Sequence, residues 1–212
     1  KRGIPVRSRN KRHIATRLAA LCLVTIVATG IVRAETASMV EMQPLPAKKT
    51  TPQQLYLTAQ EAYKMLSAAP EETLFIDIRT RSEVTFVGMP GQVDFNIPFM
   101  FEDGWKAWDD EKETYKLVYN PDFINRIRKA IELKGDGKDK ETRIILMCRS
   151  GKRSAQAARI LHIAGYRNVY TIIDGFEGDK LESGERAGQR LVNGWKNSDL
   201  PWSYRLEREK LL

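Results

Sequence analysis

Three short apolar runs punctuate the chain: "TLFIDI" at 73–78, "RIILMC" at 143–148 and "NVYTII" at 168–173. None alternates apolar with polar residues, as a strand with one wet face would. Continuous runs of this length suit strands covered on both faces, the arrangement of parallel sheets. Between and around them the period lengthens. "TAQEAYKML", from Thr58, pairs Thr58 with Glu61 at capping-box spacing and sets Ala62, Met65 and Leu66 at helical intervals, with Pro70 beyond its end. "NPDFINRIRKAIEL", about 120–133, and "KRSAQAARILHIA", about 152–164, also read as helices. The second buries Ala157, Ile160, Leu161 and Ala164 and closes at Gly165. Strands alternating with helices predict one α/β domain, a mostly parallel central sheet with helices on both faces.

Two segments carry no such period. Residues 35–57 are rich in Pro, Thr, Lys and Gln and read as a linker. Residues 99–119, "FMFEDGWKAWDDEKETYKLVY", fit neither helix nor strand. They read as a surface excursion whose Trp105 and Trp108 pack onto the sheet, since large aromatics mostly serve packing. The functional alternative is a lid or a protein-docking surface. The domain is therefore expected over 58–205, with 206–212 as a tail.

Charge alters the picture at one end only. Of 35 Lys and Arg residues, eight lie within 1–34, where there is no acid; the remainder holds 27 basic and 27 acidic residues. A neutral body argues against nucleic acid as a partner. The basic start, the apolar stretch 18–32 and "VRAET", with Val32 and Ala34 before the cut, read as an export signal cleaved after Ala34. The expected location is the periplasm. The alternative is a membrane anchor at 18–32, although that run is shorter than the roughly 20 residues that span a bilayer.

Beyond the leader a single cysteine is left, Cys148. Exported proteins use cysteines in pairs, so a lone thiol is either an incidental buried residue or a reactive group. Its neighbours favour reactivity. Cys148 ends a buried strand just before a helix, at the carboxyl edge where parallel sheets bind ligands. Gly151 allows a tight turn that points N–H groups at one atom, and the helix dipole adds positive potential. Arg149, Lys152 and Arg153 add cations. Each of these favours a thiolate.

These residues resemble the rhodanese family of sulfurtransferases. The likeness is carried by "LFIDIRTRSEV" (74–84), "GMPGQVDFNIP" (88–98), "CRSGKRSAQAA" (148–158), "GYRNVYTIIDGFEG" (165–178) and "GWKNSDLPW" (194–202). It implies that Cys148 takes a sulfane sulfur from a small anionic donor such as thiosulfate, holds it as a persulfide, and passes it to an external thiol or cyanide. Arg149, Ser150, Gly151, Lys152, Arg153 and Ser154 would form the substrate cradle. Cys148 to Arg153 is C-x4-R, the sulfurtransferase loop, whereas the related cysteine phosphatases use C-x5-R. Asp77, Arg79 and Glu83 would either orient the cysteine loop or bind donor, or else tie strand ends together in a salt-bridge network.

Met89 stands where the family often has histidine, and 99–119 and 179–193 exceed a minimal family domain. Other readings are a persulfide carrier or sensor docking its partner at 99–119 and, third, a cysteine-loop phosphatase. No metal or cofactor is expected: the body offers one cysteine and one histidine, His162, and no glycine-rich nucleotide loop.

Overall fold

The computed structural model describes residues 44–135 and 139–212. The leader read at 1–34, the anchor alternative at 18–32 and the first part of the linker lie outside those residues. In chain order the main elements are β1 (Tyr56–Leu57), α1 (Ala59–Ala68), β2 (Thr73–Asp77), α2 (Arg81–Val87), β3 (Phe95–Asn96), β4 (Met100–Glu102), β5 (Trp108–Asp109), β6 (Thr114–Tyr115), β7 (Leu117–Tyr119), α3 (Phe123–Lys134), β8 (Arg143–Met147), α4 (Lys152–Ile163) and β9 (Val169–Ile172).

Five strands form one parallel sheet in the order β1-β9-β8-β2-β3. All five residues of β2 are buried, as are four of the five in β8, because the pleat sends neighbours to opposite cores. Leu74, Ile76, Ile144 and Leu146 face α3 and α4, through Ile127, Ala130, Ala157 and Leu161. Phe75, Ile145 and Met147 face α1 and α2, through Ala62, Leu66 and Val84, and are closed over by Trp195. The continuous apolar runs are the sequence signature of this two-sided burial.

The helix starts follow from local chemistry. Thr58 and Glu61 complete the expected capping box on α1. Thr80 and Glu83 form a second one, on α2, a helix the periodicity did not predict because it has only seven residues. At α4 the N-cap is Gly151, in the left-handed region at φ 88°.

Three sequence readings need correction. Residues 44–57 are not a linker: Tyr56 and Leu57 add β1 to the sheet beside β9, and Gln53 Nε2 and Arg159 Nη2 bond across to Ala158 O and Thr50 O at 2.9 and 2.7 Å. Nor is 206–212 a loose tail. Leu206 packs into one core and Leu212 against the other, where the Leu212 N–H donates to Asn96 O at 3.2 Å. A strand of two residues and a final apolar pair give too little pattern to be seen in sequence.

The third correction concerns 99–119. Phe99 is buried beside Phe123, as a packing aromatic should be. Trp105 and Trp108 do not pack onto the sheet. Residues 100–119 make two antiparallel pairs outside it, β4 with β7 and β5 with β6. Trp105, Trp108 and Tyr115 are 53, 47 and 44% exposed and pack edge to face on one another.

Candidate active site

Register puts Cys148 where it is. β2 and β8 pair from Thr73–Arg143 to Asp77–Met147, and Ile78 N–H continues the ladder to Met147 O, so Cys148 is the first residue past the carboxyl edge of the central strand. The chain must then turn into α4 at once. Gly151 makes that turn possible: a Cβ there would sit 2.1 Å from Ile173 O, besides facing an unfavourable positive φ. Gly175, at φ 65°, closes the outer side. A Cβ on it would lie 2.5–2.7 Å from the backbone of Cys148, Arg149 and Ser150. The next amides grip the loop directly, Phe176 N–H donating to Cys148 O at 2.8 Å and Glu177 N–H to Arg149 O at 2.9 Å.

Inside the turn, Cys148 Sγ accepts the Gly151 N–H at 3.2 Å and lies 3.6 Å from Ser154 Oγ, which donates to Gly151 O. The first N–H groups of a helix have no intrahelical acceptor, so the start of α4 presents donors and positive potential beside the sulfur. Cys148 is the sole free cysteine among the described residues, and almost entirely buried. It lies in the wall of an open cavity of about 650 Å³, lined also by Arg149, Ser150, Lys152 and Arg153.

The charged residues divide by role. Arg153 forks onto Glu83, with Nη1–Oε2 at 2.7 Å and Nη2–Oε1 at 2.5 Å. Burial works to raise the Glu83 carboxyl, but the Arg153 hydrogen bonds and charge outweigh it and hold Glu83 below its ordinary value. Arg153 moves upward for the reciprocal reason, burial opposing and Glu83 prevailing. Glu83 thus ties α2 to the first turn of α4 and supports the cysteine loop.

Asp77 and Arg79 are wholly buried and absent from the cavity wall. Arg79 bonds Asp77 through Nε and Nη2 and reaches Gly88 O at 2.7 Å. Its guanidinium lies 3.9 Å over the ring of Phe176, whose N–H holds Cys148 O. Of this trio, Glu83 contacts the arginine of the cysteine loop, whereas Asp77 and Arg79 pair with each other.

Asp174 is absent from the wall of the Cys148 cavity. Its carboxylate accepts Ala59 N–H and Gly194 N–H, at 2.9 and 3.0 Å, while burial raises it above its ordinary value. His162 stays at the surface end of α4, against Arg167. Past Lys152 lies a larger depression of about 1120 Å³, whose wall includes Pro44, Lys49, Asp174 and Asn193 but not Cys148.

The packing reading of 99–119 puts none of its residues in the wall of the Cys148 cavity, and 179–193 has no site reading at all. Glu102, Trp105, Tyr115, Lys116 and Tyr119 come from the excursion at 100–119, and Arg190 comes from 179–193. The aromatic density of 99–119 was the available signal for the first group; no spacing marked Arg190. Among the described residues, no cluster of three metal-ligating side chains occurs.

The family model for the Rhodanese-like domain matches residues 58–182. The uncharacterised RP600 homologue of Rickettsia rickettsii is 30% identical over 148 residues, covering 70% of this chain and 96% of its own length. The uncharacterised RC0915 protein of Rickettsia conorii matches to the same identity and extent. Among solved structures, that of Rv0390 from M. tuberculosis superposes with a TM-score of 0.52 at 28% identity, covering 71% of this chain and 97% of that one.

Proposed function

The chain belongs to the rhodanese-like domain family, and from that premise we propose that it is a sulfurtransferase carrying sulfane sulfur on Cys148. The observation that carries the reading is the seating of Cys148 Sγ: an open cavity in front, the Gly151 N–H and the start of α4 behind. In the loading step the Cys148 thiolate attacks the outer sulfur of thiosulfate or a similar anionic donor. A new S–S bond forms, and the donor's own S–S bond breaks with its electron pair leaving on sulfite. The charge of the two reactants passes intact to the persulfide and sulfite. Arg149 and Lys152, both exposed at the cavity, draw the donor in, and the helix-start donors hold the sulfur's charge. Discharge to an external thiol or cyanide restores Cys148, since the described residues offer no second cysteine.

Incubation with thiosulfate is expected to add one sulfur to the intact protein, seen by mass spectrometry and lost in Cys148→Ser. An unchanged mass would overturn the reading. A carrier or sensor loaded by a protein partner is the second reading, favoured by the exposed Trp105, Trp108 and Tyr115. Fast cyanide-dependent thiocyanate formation supports the enzyme; loading without turnover supports the carrier. Against a phosphatase stands Arg153, the arginine that would face phosphate, which is already engaged by Glu83. Action in the periplasm is part of the proposal and rests on 1–34; sequencing the amino terminus of the secreted protein tests cleavage after Ala34.

A further inference from the structure

The cavity in front of Cys148 is larger and more basic than an inorganic sulfur anion requires. A volume of about 650 Å³ falls in the range of sites that enclose organic ligands, roughly 300–1,000 Å³. Its walls carry six cations and three carboxylates. Two of the carboxylates are taken, Glu83 by Arg153 and Asp109 by Lys112. That leaves Lys116, Arg149, Lys152 and Arg190 facing Glu102, and none of these four cations makes an ion pair among the described residues.

Arg190 stands out. Its Nη1 donates to Gly178 O at 2.6 Å, which fixes the guanidinium at the cavity. Burial, and then the positive charge of Arg149, push it below its ordinary value. Arg149 lines the same cavity; two arginines without counter-charges in one wall repel one another, and an anion bound by both relieves that repulsion. In the same cavity wall Trp105 and Tyr115, ring centroids 5.3 Å apart, offer partly exposed apolar surface.

We propose that the acceptor for the Cys148 persulfide is an organic thiol bearing carboxylates, its acid group held between Arg149 and Arg190 and its body laid against Trp105 and Tyr115. This rests on Cys148 carrying sulfur. The acceptor thiolate attacks the terminal sulfur of the protonated persulfide. A new S–S bond forms while the bond to Sγ breaks, its electron pair returning to Cys148 as thiolate. The acceptor leaves as a persulfide, and sulfur moves with no external oxidant or reductant.

The test uses the full chain, loaded with thiosulfate and weighed before any acceptor is added, then discharged to glutathione or to its diethyl ester. The acid is expected to exceed the ester in kcat/KM by about tenfold, the scale of one charge-assisted contact. In Arg190→Gln that ratio falls towards unity through KM, whereas Arg186→Gln, on the same segment but outside the cavity wall, keeps it. Trp105→Ala lowers acid and ester together. Equal use of acid and ester by the wild type, a ratio unmoved by Arg190→Gln, or discharge by a protein thiol alone would each overturn the proposal. Should the protein fail to load, the sulfur-carrying reading falls separately. Calorimetric titration with S-methylglutathione then still tests the carboxylate site by itself: Kd rises about tenfold in Arg190→Gln if the site is as described and is unchanged if it is not.

Discussion

The loop 148–154 and the excursion 100–119 face each other across one cavity and are held by opposite means. The loop is fixed from every side: a strand end before it, a helix after it, Gly175 and Phe176 behind it, Glu83 on its arginine. The excursion is held mostly by itself, its two strand pairs outside the sheet and its aromatic rings packed edge to face. Group transfer needs the reacting atom placed tightly; recognition needs a surface that can change without disturbing the core. Here the two demands fall on separate pieces of chain.

The comparison can be broken most forcefully at Gly151. Replacement by alanine brings Cβ onto Ile173 O at a positive φ, and a loss of about 3 kcal/mol or more in urea unfolding is expected, together with failure to accept sulfur. A well-folded, loading Gly151→Ala protein would show that the loop is less confined than its contacts say.

Next comes Glu83→Gln, which leaves Arg153 largely buried without a counter-charge; about 2 kcal/mol is expected, below the loss for a fully buried pair because both side chains keep some exposure. The pair also makes stability depend on pH. Glu83 titrates below its ordinary 4.5 when folded, so its contribution is complete above that value and disappears as pH falls through the lower folded one. Unfolding measured down this acid range should steepen for the wild type and lose that component in Glu83→Gln. Parallel curves would remove Glu83 as the cause.

The smallest effect belongs to the excursion. Trp105→Ala should change stability by no more than about 0.5 kcal/mol, since the ring is half exposed and its aromatic partner, Tyr115, is itself exposed. A cooperative loss of several times that would mean that the excursion is part of the core after all.

This division explains what could be read from sequence. β2, β8, β9 and α1, α3 and α4 announced themselves because each buries a face against the same sheet, and burial is what a hydrophobic period records. Cys148 and Gly151 were legible for a related reason: strand, turn and helix occur in consecutive residues. α2 was missed although Thr80-Arg81-Ser82-Glu83 repeats the Thr58–Glu61 capping spacing, because seven residues scarcely set a helical period. The role of Glu83 needs Arg153, 70 positions away. Trp105 and Tyr115 defeated the packing rule, since their partners are each other. Arg190 reaches the cavity through a bond to the Gly178 carbonyl, and a carbonyl leaves no trace in residue type.

The edge-to-face trio of Trp105, Tyr115 and Trp108 has one more consequence. Two of the four tryptophans stand beside the cavity, half in water, while Trp195 is wholly enclosed in the core. When the indoles are excited, the exposed pair emits at longer wavelength than an enclosed indole, because water relaxes around the excited dipole. A molecule settling against Trp105 displaces that water and shifts the red part of the spectrum alone, so occupancy of the cavity can be followed by the protein's own light, without a label.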